Sequence, residues 1–293
     1  MNTKNQNTGM TAEEVRDRVR EGYGQIAEAD DGGCCGPVGG CGTRTDAAEL
    51  AQEIGYSAEE LAGLPEGANL GLSCGNPGAI AALEPGEVVV DLGAGAGLDC
   101  FLIGPRVGAA GRAIGVDMTA PMLAKARKNL AGYRQRTGLD NVEFRLGEIE
   151  HLPVPDATAD VVISNCVINL SPDKQQVWHE IARVLRTSGR VAVSDLALLR
   201  PLPESVRNDV EALVGCVAGA SLVPEIAQMM RSAGLVGIEI LPKPEYVAAM
   251  QASKDPLYQR ILEQLPVGQT LADYVASVEI RASKPAVRPP SCC

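Results

Sequence analysis

From residue 87 onward the chain alternates short, unbroken apolar runs with longer segments of helical spacing. EVVVDLG (87–93) has the continuous apolar character of a strand buried on both faces of a parallel sheet. A helix is expected over 97–106, a strand over RAIGVDM (112–118) and a helix over 120–136. Strands follow at VEFRLGE (142–148) and ADVVISN (159–165), then a helix over 173–186 and a strand at GRVAVSDLAL (189–198). This β-α alternation implies an α/β fold, a doubly wound parallel sheet with right-handed crossovers. Residues 204–234 read as helical, VGIEILP (236–242) and YVASVEIRAS (274–283) as strands, and ILEQL suggests a short helix within 243–270.

Ahead of this region, residues 11–28 open like a helix, with Thr11 three positions before Glu14 as a capping box. DGGCCGPVGGCGTRT (31–45) cannot sustain a helix and reads as a flexible loop. A helical segment near 46–53 is followed by SAEELAGL (57–64), where Ser57 and Glu60 repeat the capping-box spacing. PEGANLGLSCGNP (65–77) is rich in turn residues and carries Cys74.

Composition narrows the class. The 293 residues are 45% hydrophobic and 22% charged, which suits a packed globular chain. A net charge of −11 leaves no electrostatic footprint for nucleic acid or anionic lipid. No apolar run reaches the roughly 18 residues of a membrane span, and the first residues lack a signal-peptide core, so a cytoplasmic location is expected. Nine cysteines (34, 35, 41, 74, 100, 166, 216, 292 and 293) then point to soft-ion ligation, redox chemistry or plain burial. With two histidines and no C-x-x-C pair, no structural metal is expected.

DLGAGAG (91–97) joins the first strand to a helix, where glycines let a ligand approach the backbone and the unpaired N–H groups of a helix start. Gly93, Gly95 and Gly97 are spaced G-x-G-x-G, unlike the dinucleotide G-x-G-x-x-G. Alone, the loop could be a tight turn without a ligand. Asp117 ends the next strand, 20 residues after Gly97, where a carboxylate can accept ribose hydroxyls. GEIE (147–150) puts Glu148 and Ile149 where an adenine edge and face would lie, although Glu148 could equally be a solvated strand end. Together these features resemble the class I S-adenosylmethionine methyltransferase core. The expected architecture is a Rossmann-like core with a Cys-rich N-terminal extension and a C-terminal α+β module.

Ligands in open α/β sheets bind beyond the carboxyl ends of the strands. Cys166 directly follows ADVVISN and should stand at that rim. Cys74 and Cys216 lie in segments that could fold over the same rim, and three converging thiols would suit a thiophilic ion. Cys100, in the apolar context LDCFLI, and Trp178 read as packing, and His151 and His179 as structural or surface residues.

Over residues 60 to 243 the chain resembles the arsenite S-adenosylmethionine methyltransferases. The carriers are EGANLGLSCGNP (66–77), VVVDLGAGAGLDCFL (88–102), GVDMT (115–119), GEIEHLP (147–153), ISNCVINLSPDK (163–174) and the Cys216 region. The resemblance implies that Cys74, Cys166 and Cys216 bind trivalent arsenic. It also implies that S-adenosylmethionine contacts Asp117, Met118, Thr119, Ile149 and Glu150, with Gly93 and Gly95 in the loop. Asp91, Gly97, Glu148 and Asn165 are counted with the same cofactor site. The substrate implied is arsenite or its thiol conjugates. Product would be reduced through an enzyme disulfide reset by thioredoxin or glutathione. For that disulfide Cys74 is paired with an N-terminal cysteine; Cys34, Cys35 and Cys41 are all candidates and Cys41 is nearest in spacing. Cys292 and Cys293 could form an extra thiol clamp or a functionless tail. Because thiolates are the ligating form, binding is expected to release protons.

The expected division is 1–60 as an extension, 61–200 as the cofactor-binding core, 201–283 as a module completing the sheet and the arsenic site, and 284–293 as a tail. Two other readings compete: methylation of a small organic acceptor, and non-catalytic binding of soft metals by thiols. The first makes three cysteines at one rim a coincidence. The second leaves the glycine loop and Asp117 unexplained.

Overall fold

The computed structural model describes residues 10–28, 44–207, 216–243 and 261–286. The glycine-cysteine loop, with Cys34, Cys35 and Cys41, and the closing Cys292 and Cys293 lie outside these residues.

Seven strands form one sheet in the order β3-β2-β1-β4-β5-β7-β6. They are β1 (Val88–Leu92), β2 (Arg112–Asp117), β3 (Val142–Leu146), β4 (Ala159–Asn165), β5 (Leu185–Leu198), β6 (Val236–Lys243) and β7 (Val275–Ser283). The first five run parallel, and β7 lies antiparallel between β5 and β6. Strand order reverses between β1 and β4, and a crevice opens there at the carboxyl ends.

The period of two along the strands explains their unbroken hydrophobicity. Val89, Val161, Ile163 and Ala192 pack on one face against Phe101, Ile103 and Tyr133. Their neighbours Val90, Leu92, Val162 and Val193 pack on the other against Trp178, Ile181 and Met230. Both faces are covered, so neither can be polar. A third apolar cluster sits beyond the strand ends and contains Cys74, Cys166 and Cys216 together with Leu170, Leu198, Ile261 and Leu271.

Helix α1 (Ala12–Glu28) begins at the expected capping box: Glu14 N donates to Thr11 Oγ1 at 3.2 Å, and Thr11 N to Glu14 Oε2 at 2.7 Å. The Ser57–Glu60 box likewise starts a short helix at Ala58. Two helical expectations need correction. The segment 120–136 is two helices, Ala120–Lys128 and Leu130–Thr137, separated at Asn129, whose side chain donates to the Glu66 carbonyl. Within 204–234 the described helices are Glu204–Arg207 and Val223–Ser232, and Cys216 stands in a turn at φ 64°.

Candidate active site

The glycine loop runs from the end of β1 to the helix Leu98–Val107, and Gly93, Gly95 and Gly97 all have positive φ. At Gly93 the tightness is also steric: an added Cβ would lie 2.5 Å from Val167 Cγ2. Next to the loop, Asp117 ties the second strand to the first. Its carboxylate accepts Gly95 N at 2.9 Å and Thr119 N at 2.7 Å. Burial raises its pKa, and those two N–H groups oppose the rise.

A cavity lies beyond this loop. Asp91, Gly93, Gly95, Asp117, Met118, Thr119, Ile149, Glu150 and Asn165 line it, all anticipated from the sequence. Cys166 borders the same space. Gly97 does not line it; this glycine starts the helix at φ 95°, where an added Cβ would lie 2.7 Å from Phe144 Cζ. Glu148 also departs from expectation. It does not line the cavity, and its carboxylate pairs with Arg16 at 3.3 Å and Arg20 at 3.4 Å. Glu150 is the buried acid here, accepting from Ser171 Oγ at 2.6 Å.

A nucleoside sulfonium fits this lining. An added Cβ at Gly95 would meet only Met122 Sδ, at 4.0 Å, Asp117 keeps lone pairs for ribose hydroxyls, and Met118 and Ile149 offer apolar surface for a base.

Three of the four described cysteines come together beside the cavity. Cys74 and Cys166 form a disulfide with Cα atoms 5.9 Å apart, and Cys216 Sγ donates to the Cys166 carbonyl at 3.0 Å. Cys74 is thus bonded to Cys166 rather than to an N-terminal-loop thiol. Cys166 and Cys216 both occupy the left-handed region, at φ 55° and 64°, a conformation that costs a non-glycine residue energy and clusters at functional sites. Backbone bonds hold the turns: Cys166 N donates to Ser194 O at 2.9 Å, and Cys74 O accepts from Ser277 Oγ at 3.2 Å.

Burial raises the Cys216 pKa, and the nearby Asp195 charge raises it further. The Tyr23 hydroxyl hydrogen-bonds this sulfur and opposes the rise, as does Lys174. Asp195 is itself raised to about 7 by burial, with Oδ1 accepting from Asn169 Nδ2 and Leu196 N, each at 2.8 Å. Its Oδ2 has no hydrogen-bond partner among the described residues.

On the remaining side, Asp99 is raised to about 6 by burial while accepting from Tyr56 and Asn165. Cys100 is fully buried, bonded to Asp91 Oδ2 at 3.3 Å and separate from the cysteine cluster. Trp178 is core, and both histidines are exposed.

Sequence reasoning missed Arg16, Val19 and Tyr23, which reach the cavity from α1. Their signal is the spacing of three and then four positions, one face of a helix. Tyr56 and Asp99 carried no comparable pattern.

Comparison with known proteins bears on this geometry. Residues 83–234 match a family model described as a methyltransferase domain. The chain is 46% identical over 284 residues to an arsenite methyltransferase of Halobacterium salinarum, covering 94% of this chain and 68% of that protein. An arsenite methyltransferase of Aquipseudomonas alcaligenes is 43% identical over 157 residues, 52% of this chain and 45% of that protein. The structure is similar to that of an arsenic(III) S-adenosylmethionine methyltransferase from Chlamydomonas reinhardtii, with a TM-score of 0.56 and 30% identity. That match covers 84% of this chain and 75% of the algal chain. Against the Aquipseudomonas protein, this chain spans less than half the length.

Proposed function

Because the chain belongs to the arsenite methyltransferase family, we propose that it transfers the methyl group of S-adenosylmethionine to trivalent arsenic held by Cys74, Cys166 and Cys216. The observation that carries this reading is Cys166: it borders the glycine-loop cavity while bonded to Cys74 and contacted by Cys216. The same observation disfavours a small organic acceptor, for which three buried thiols would have no role.

Bound S-adenosylmethionine supplies an electrophilic methyl on a sulfonium sulfur. The residues proposed to hold it are Asp117, Met118, Thr119, Ile149 and Glu150, with Gly93 and Gly95 giving room for close approach. Arsenic bound by three sulfurs keeps a lone pair and requires no general base, which agrees with two exposed histidines. What the chain contributes is position and dryness. Leu170, Val167 and Met118 pack around the cysteines and exclude water from the arsenic.

For Cys216 the proton balance differs from the expectation built on thiolates. Cys216 is held as a thiol, its pKa raised first by burial. On ligation the Cys216 proton leaves with one arsenite hydroxyl as water, so this ligand releases no net proton. The Cys216 contribution to arsenite affinity, read as the ratio of unaltered to Cys216→Ser protein, should therefore be equal at pH 6 and pH 8.

Methylation formally oxidises arsenic by two electrons. In our reading Cys74 and Cys166 return them by forming their disulfide, and thioredoxin or glutathione reduces it for the next round. Thiol exchange with an N-terminal cysteine, Cys41 being nearest in sequence, would carry the disulfide outward. Arsenic X-ray absorption on reduced protein with arsenite tests the ligand set. Three sulfur neighbours, falling to two in Cys216→Ser, are expected; oxygen-dominated coordination contradicts the proposal.

A further inference from the structure

Helix α1 touches both halves of the site with one face. At its start Arg16 ion-pairs with Glu148 at 3.3 Å and with the buried Glu150 at 3.7 Å. Val19 follows in the cavity wall, and Tyr23 reaches the cysteine cluster. Positions 16, 19 and 23 share a helix face, so one rigid element spans the distance from Glu150 to Cys216. The tyrosine ring also lies within electrostatic reach of Asp117 on the nucleoside side and Asp195 on the arsenic side. Its hydroxyl donates to the Cys216 sulfur, while that sulfur's own proton points to the Cys166 carbonyl. Cys216 is thereby held from two directions, by α1 and by the loop after β4.

We propose that Tyr23 is a positioning residue for the arsenic site and that α1 thereby couples the donor cavity to the cysteine cluster. This rests on the arsenite-binding reading above. Cys216 stands in a turn in the left-handed region, and the phenol supplies an orientation from outside that turn. Docking of α1 serves both ligands: the Arg16 end closes over Glu150, and the Tyr23 end completes Cys216. A ligand that favours the docked helix at one end must then favour it for the other ligand, and the coupling is reciprocal.

The test is arsenite titration calorimetry on reduced full-length protein, with and without S-adenosylhomocysteine, for the unaltered chain and for Tyr23→Phe. Loss of one hydrogen bond to sulfur should weaken arsenite binding about five- to tenfold, while S-adenosylhomocysteine affinity measured alone changes less than about twofold. The nucleoside should tighten arsenite binding about fivefold in the unaltered protein, and that gain should shrink in the Phe variant. A variant that merely loosened the fold would weaken both ligands together. Hydrogen exchange on the unaltered protein gives an answer independent of any variant: either ligand alone should slow exchange of the amides around Tyr23. Equal arsenite affinity in Tyr23→Phe, or α1 exchange untouched by arsenite, overturns the proposal and leaves the arsenite reading intact. Failure of the unaltered reduced protein to bind arsenite overturns both.

Discussion

The backbone amide of Cys74 donates to the side-chain oxygen of Asn165 at 2.9 Å, although the two residues are 91 positions apart. Asn165 immediately precedes Cys166, so one side chain sets the Cys74 turn against the strand end that carries the second cysteine. Its amide nitrogen lies 2.8 Å from Gly75 O, 3.0 Å from Tyr56 Oη and 3.2 Å from Asp99 Oδ2. The cysteine cluster and the glycine-loop cavity therefore share this residue.

Replacing Asn165 with alanine leaves the Cys74 amide and a buried carboxylate short of a partner. We expect a loss of about 1–3 kcal/mol, measured by urea unfolding of reduced protein. Methylation should fall at least about tenfold as the cysteines lose register.

Gly93→Ala forces a methyl against Val167 in a backbone conformation that already disfavours side chains. S-adenosylhomocysteine affinity should drop about tenfold or more, an overpacking cost of about 1–3 kcal/mol. Adding Val167→Ala opens that space and should recover part of the loss. The positive φ at residue 93 keeps recovery incomplete. A double-mutant cycle reads the coupling, and strict additivity would refute the contact.

Asp195, raised to about 7 in the folded protein from an ordinary value of 3.8, makes a definite pH signature. Between those values the folded state binds more protons than the unfolded one, so this group's contribution to stability is lost as pH rises. Asp195→Asn keeps an acceptor for Asn169 and Leu196 and replaces an oxygen that lacks a partner. The variant should be more stable than the parent at pH 8 and show a flatter slope between pH 4 and 7. A slope identical to the parent's contradicts the assignment.

Serine at Cys100 and serine at Cys216 should have similar effects on folding and different effects on arsenic. Both thiols are buried and each has an acceptor, Asp91 or the Cys166 carbonyl, that a hydroxyl can use. Each change should cost about 1–2 kcal/mol by urea unfolding. Arsenite affinity should survive Cys100→Ser and fall in Cys216→Ser, where two sulfur ligands remain.

Local signals explain how much of this was legible beforehand. The Thr11–Glu14 and Ser57–Glu60 boxes mark helix starts through contacts three residues apart, and both occur as read. Apolar continuity at 88–92 announced a central strand because both faces of the sheet are covered. Glu148 and Glu150 could not be separated in the same way: they lie in a turn after β3, and the partner that draws Glu148 outward, Arg16, is more than 130 residues away. The same distance hid Tyr23, whose helix looks amphipathic until its partner Cys216 is placed beside it. Rim geometry brought Cys166 to the cavity, but the Cys74–Cys166 bond depends on a long-range turn held by Asn165.

The central claim is tested most directly by one reaction. Purified reduced protein is incubated with arsenite, S-adenosylmethionine and the thioredoxin system, and arsenic species are separated by chromatography with elemental detection. Methylated arsenic from the unaltered protein and none from Cys166→Ser is the result expected. Unchanged arsenite from protein that binds S-adenosylhomocysteine, or equal methylation by the serine variant, would contradict the account.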